Sequence, residues 1–168
     1  QRNRECCRIQ PKSIQTQGIP QFRRFTYLAP LTINRTHLGK TLSIKIDLHR
    51  TLLSKDGMEG SCIWDEWDDL KKTPRDFHIE LDSTINIREI LINLAHEMTH
   101  VKQWVKGEMY EYANPNEVRW MKKKYDMSNM DYYDYPWEID AFGRQLGLFV
   151  RMCEETGNGN NPKMMENV

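Results

Sequence analysis

An α+β fold is what this sequence predicts: a small, mostly antiparallel sheet packed on a histidine-bearing helix and on a second, glutamate-bearing helix. Three observations carry that expectation. Leu42, Ile44, Ile46 and Leu48 alternate with Ser43, Lys45, Asp47 and His49, the period of a half-buried strand. Phe77, Ile79 and Leu81 alternate in the same way with Asp76, His78 and Glu80. Between Ile87 and Lys106 the period lengthens, and Ile90, Leu91, Leu94, Met98, Val101 and Val105 make an apolar stripe at helical spacing.

The remaining elements follow from local chemistry. Residues 1–21 mix Arg, Gln, Pro and Gly without apolar periodicity and are expected to form an extended basic arm. A single domain is expected over 22–156 and a flexible tail over 157–168. Phe22 to Leu38 has no clean period and is punctuated by Pro30 and Gly39. Lys55-Asp56-Gly57 is a turn signal, and Ser61 to Trp67 after it is a plausible partner strand. Asp65, Glu66, Asp68 and Asp69 are read as a solvated acidic loop. Asn86-x-x-Glu89 is a capping box that opens the histidine-bearing helix, and Gly107 stops it. Asn114-Pro115-Asn116-Glu117, with a cap residue followed by proline, predicts a short helix to about Tyr125. Tyr125 to Tyr135 is read as an ordered loop. Tyr135-Pro136-Trp137-Glu138 starts the last helix, which Ile139, Phe142, Leu146, Phe149 and Val150 carry to about Glu155 before Gly157.

Composition narrows the class. At 168 residues and 39% apolar content the chain can build one core without disulfide staples. Cys6 and Cys7 are adjacent while Cys62 and Cys153 stand far apart, so all are expected as free thiols in a reducing compartment. No apolar run approaches the ~18 residues that span a bilayer, and no signal-peptide pattern is present, so the expectation is a cytoplasmic chain without membrane partners. Asn34-Arg35-Thr36 matches a glycosylation sequon but carries no weight without secretion. Net charge is zero, yet residues 1–50 hold ten Lys or Arg against Glu5 and Asp47, a local +8 that leaves −8 for the rest. Such a segment can dock on nucleic acid, on an acidic protein surface, or on the acidic part of its own chain.

The chemistry centres on His96-Glu97-Met98-Thr99-His100. Positions i and i+4 share a helical face, so His96 and His100 can offer two imidazoles to one metal ion. Glu97, one residue after the first histidine, would lean over the open side of that ion, where it can take a proton from water. A catalytic zinc ordinarily takes three protein ligands, so a third must come from elsewhere. Gln103 and Lys106 stand where a longer motif would need glycine and histidine. Glu138 is the best candidate, since it lies in the first turn of a helix with small Ala141 one turn on. Glu108 and Glu111 follow Gly107 closely, and Glu117 would need the expected short helix to face the metal.

This motif, followed by Tyr135-Pro136-Trp137-Glu138-Ile139-Asp140-Ala141-Phe142-Gly143, resembles the minimal gluzincin and SprT-like zinc metallopeptidases, especially small phage-encoded ones, from about Phe77 to Phe149. The resemblance implies a zincin-like domain and one Zn2+ per chain on His96, His100 and Glu138, the last through a Glu-x-x-Ala motif that maps onto Glu138 and Ala141. It also implies hydrolysis of a peptide or protein substrate with Glu97 as general base. The 38 residues from His100 to Glu138 exceed the gap of the compact gluzincins, which leaves the 108–135 insert without a role.

Further expectations attach to that reading. Tyr132, Tyr133 and Tyr135 are near enough to Glu138 in sequence to supply a donor to the oxyanion. Asp140 can orient a ligating histidine or stand as a solvated carboxylate. Phe77, His78, Ile79, Glu80 and Leu81 would dock an extended peptide if the strand's edge is unpaired, and an interior strand is the alternative. Two rival functions are a structural or virion assembly protein that retains zinc, and a nucleic-acid-associated SprT-like protease anchored by residues 1–50. A phage origin would place the chain in the host cytoplasm or the virion.

Overall fold

In the computed structural model, which describes residues 13–16, 42–64 and 73–165, the two alternating segments become neighbours in one sheet. Its strands are β1 (Ser13–Thr16), β2 (Ser43–His49), β3 (Gly60–Trp64) and β4 (Asp76–Asp82), in the order β1-β2-β4-β3. The α+β class stands, but this sheet is mixed and not mostly antiparallel. β1 and β4 both run parallel to β2, and only β3 runs antiparallel, to β4. The reason lies in the connection: the chain leaving β2 passes through β3 and returns to β2's flank in the same direction, a crossover that parallel pairing requires. Register places Ile44 beside Phe77 and Ile46 beside Ile79, so one face of the sheet is continuously apolar.

Between β2 and β3 a short helix, α1 (Leu52–Asp56), ends at Gly57 with φ 70, so the Lys55-Asp56-Gly57 signal is the stop of a helix. Fully buried Asp82 accepts the Leu53 amide at 2.7 Å and the Thr84 amide and hydroxyl, pinning this helix to the end of β4.

The apolar sheet face is covered by α2 (Ile87–Val105). Asn86 caps it by accepting the Glu89 amide at 3.0 Å, and Gly107, with φ 66, lets the chain turn away at the other end. Leu94, Ala95 and Val101 are wholly buried against Ile79, Leu81 and Phe149 in one core cluster.

A second, three-stranded antiparallel sheet follows: β5 (Met109–Glu111), β6 (Glu117–Trp120) and β7 (Lys123–Asp126). It replaces the short helix expected from Asn114 to Tyr125. The Asn114-Pro115 signal makes only a turn, in which the Glu117 amide donates to the Asn114 carbonyl at 3.0 Å. Val118 and Trp120 then alternate with Arg119 into the core, and Met121 and Lys122 turn the chain at φ 47 and 70. Two consecutive left-handed residues are the signature of a tight hairpin, here without the asparagine or glycine that would have announced it.

A single 3-10 turn, Tyr132–Asp134, leads into α3 (Pro136–Glu155), which starts at its proline and ends before Gly157 as expected. Residues 158–165 lie in the segment expected as a flexible tail. They carry α4 (Pro162–Met165), and the Arg88 guanidinium on α2 donates to the Met164 carbonyl at 3.1 Å. Cys62 and Cys153 are free thiols, and no helix among the described residues is long and apolar enough to cross a membrane. The expectations for the arm and for Phe22 to Leu38, apart from β1, lie outside the described residues, as do those for the acidic cluster and the end of the tail.

Candidate metal centre

His96 and His100 sit one turn apart on the face of α2 that meets α3, and Glu138 occupies the first turn of α3. Ala141, wholly buried one turn after Glu138, is small enough to let the helices approach. The three side chains then point their ligand atoms at one place. His96 Nε2 lies 3.1 Å from His100 Nε2 and 3.2 Å from Glu138 Oε2, and His100 Nε2 lies 3.5 Å from that same oxygen. Metal–ligand bonds of ~2.0–2.1 Å at a tetrahedral angle would set such atoms roughly 3.3 Å apart, so the spacing fits one ion such as zinc. It is the one such group found among the described residues.

The second ring nitrogens are engaged as well. His96 Nδ1 meets Gln145 Oε1 at 2.9 Å, and His100 Nδ1 meets Gln103 Oε1 at 2.9 Å. An amide oxygen only accepts, so in the neutral rings each Nδ1 carries the hydrogen and each Nε2 keeps its lone pair for a metal.

Charges in this pocket shift one another. Burial pushes the Glu138 carboxyl up, but the adjoining His100 and His96 rings and the hydrogen bond from Tyr132 outweigh it and hold the group well below the usual carboxylate range. Burial would lower His100, yet Glu138 and Glu97 raise it. Burial pushes the Glu97 carboxyl up, opposed by the nearby His100 and His96 and reinforced by Glu138. Glu97 is buried, and no hydrogen bond from a described residue engages its carboxylate. The start of β3 crosses directly over it: a Cβ on Gly60 would lie 2.9 Å from Glu97 Oε1. Cys62, two residues along β3, has its thiol pushed well up by burial and by the charge of Glu97.

The structure thus brings His96, Glu97, His100 and Glu138 together, and adds Tyr132, whose hydroxyl donates to Glu138 Oε2 at 2.7 Å. Burial and then this carboxylate push the tyrosine hydroxyl above its ordinary value. Tyr133 is 71% exposed and turns its ring toward Phe142, while Tyr135 stacks on Trp137 at 4.9 Å; neither reaches a ligand atom. Asp140 stands one step back, taking Arg144 at 2.7 Å, Gln103 at 3.2 Å and Lys102 at 3.3 Å, and it meets His100 only through Gln103. The alternative third ligands are placed elsewhere: Glu108 pairs with Lys102 at 2.7 Å, Glu117 with Lys124 at 2.7 Å, and Glu111 lies on β5.

One expectation is overturned. The strand of Phe77, His78, Ile79, Glu80 and Leu81 has no free edge, because β2 pairs with it on one side and β3 on the other. Its inward residues are core, His78 holds Asp47 at 2.8 Å, and Glu80 meets His49 at 3.2 Å. Strand alternation reports a half-buried face and is blind to whether the edges are paired. The strand at the edge beside α2 is β3.

Sequence reading also missed Gln103, Gln145 and Gly60. Gln103 is three residues after His100 and Gln145 seven after Glu138, each on the face of its predecessor, so helical spacing alone could have raised them. No protein-family model, curated protein or solved structure matches the chain, so the reading of this centre rests on its own geometry.

Proposed function

We propose that this protein is a zinc-dependent metallopeptidase of the gluzincin kind, with one Zn2+ held by His96, His100 and Glu138 and with Glu97 as general base. The observation that carries it is the convergence of Nε2, Nε2 and Oε2 from two helices at tetrahedral spacing, beside a buried carboxylate that no hydrogen bond from a described residue engages. A zinc ion so held supplies Lewis acidity toward a peptide carbonyl and toward water.

The chain's own residues do the rest. Glu97, with its proton affinity raised by burial, takes a proton from water and passes it to the leaving amine. Tyr132 carries a hydroxyl at the site that can turn from Glu138 toward the oxygen of the substrate carbonyl. An extended peptide adds to the outer edge of β3, which pairs with no strand among the described residues and passes over Glu97.

Metal analysis joined to a peptide-cleavage assay tests this reading. The expected result is about one zinc per chain, cleavage of an unfolded protein substrate, and a Glu97→Gln variant that keeps the zinc but is inactive. The paired edges of β4 favour a second reading, a zinc-holding assembly protein without turnover, because the strand that alternates most cleanly offers no rail. Full zinc occupancy with no cleavage of any unfolded substrate would select it.

A further inference from the structure

We infer that Gln103 is a positioning residue that sets the tautomer of His100 and, through the same amide, fixes the helix bearing Glu138 relative to the helix bearing the histidines. This rests on the metal-binding reading of the site, though not on catalysis.

Gln103 is wholly buried, and its amide makes contacts in two directions. Its Nε2 donates to the Trp137 carbonyl at 2.9 Å and to Asp140 Oδ2 at 3.2 Å, while its Oε1 faces His100 Nδ1 at 2.9 Å. The orientation is not interchangeable. A backbone carbonyl and an ionised carboxylate only accept, so the NH2 must face Trp137 and Asp140 and the oxygen must face the imidazole. The neutral His100 ring is then compelled to carry its hydrogen on Nδ1 and to leave Nε2 bare, pointing at His96 Nε2 and Glu138 Oε2.

The second direction matters equally. Trp137 immediately precedes Glu138, so the Gln103 bond holds the first turn of α3 at the level of His100. Asp140, one side of that bond, is anchored in turn by Lys102, which is buried one residue before Gln103 and also pairs with Glu108. Gln103 therefore acts as a spacer whose two ends read two ligand-bearing elements. Gln145 does only half of this: among the bonds found it accepts from His96 alone.

The test uses 15N NMR of the ring nitrogens in metal-free protein, above the histidine titration range, together with zinc affinity by chelator competition. Wild type is expected to show His100 as the Nδ1–H form. Gln103→Met, of similar volume but without the amide, is expected to shift His100 toward the Nε2–H form and to weaken zinc about 10- to 100-fold, the usual cost of losing such a partner. Gln103→Glu keeps an acceptor for His100 but sets a second oxygen against the Trp137 carbonyl and Asp140. It is expected to retain the Nδ1–H form while its melting temperature falls.

A purely structural role would destabilise both variants without moving the tautomer. An Nε2–H form of His100 in wild type overturns the inference even where no variant folds, as does Gln103→Met protein with wild-type tautomer or zinc affinity. Wild type that shows the Nδ1–H form but binds no zinc overturns the metal reading and leaves the positioning role of Gln103 intact.

Discussion

Two glutamates at this centre have opposite environments, and that difference predicts opposite behaviour. Glu138 is held ionised by the neighbouring His100 and His96 rings and the Tyr132 hydroxyl, whereas Glu97 is buried with its carboxyl pushed above the ordinary 4.5. Glu138→Ala and His100→Ala should each lose zinc sharply, by metal analysis, while Glu97→Gln retains it; normal zinc in the Glu138 variant would remove that residue from the site. A second prediction concerns pH. Because the folded Glu97 carboxyl binds its proton more tightly than the unfolded one, its contribution is fully present below the unfolded value and disappears as pH rises through the folded value. Glutamine never ionises and so escapes that loss. Metal-free Glu97→Gln should therefore gain on wild type in melting temperature as pH rises above 4.5, and a difference that stays constant as pH rises would contradict the burial argument.

At the scale of elements, β3 and the β6–β7 hairpin make distinct predictions. β3 clears Glu97 only because residue 60 has no side chain. Gly60→Ala should push the carboxylate aside, so that cleavage falls at unchanged zinc content; wild-type activity in that variant would mean the base has room to spare. The hairpin turns on Met121 and Lys122, both in the left-handed region that side chains disfavour. Replacing the pair by Asn-Gly should stabilise the protein by about 1 kcal/mol in denaturant titration, as relief of that backbone cost implies. No change would indicate that the turn residues are held by contacts elsewhere.

For the whole molecule, the three proposed ligands join two helices whose packing also closes the core, so a metal bound there would be linked to folding. Zinc in excess should raise the melting temperature and a chelator should lower it, with ~2.7 kcal/mol of stabilisation at a hundredfold excess over Kd. His100→Ala should abolish that zinc dependence while leaving the metal-free fold melting as a single transition. A zinc effect that survives in this variant would place binding elsewhere on the chain.

What the sequence determined by itself is what depends on neighbours along one helix. The histidine pair needs only i and i+4, the Asn86 cap and the Gly107 stop are local, and Pro136 begins α3 through its own fixed φ. Glu138 was legible as a candidate for the same reason, and the tertiary structure chose it over Glu108, Glu111 and Glu117 by packing α3 against α2 through Ala141. The strands were legible as strands, but their partners were not. Periodicity marks which face is buried and says nothing about which edge is paired, so the central place of β4 and the edge place of β3 came only from assembly. The β6–β7 hairpin hid behind a proline signal because its turn lacks the usual residues. Gln103 shows the division within one side chain: its approach to His100 is a matter of helical spacing, whereas its hold on Trp137 exists only once two helices, 34 residues apart in sequence at that contact, have met.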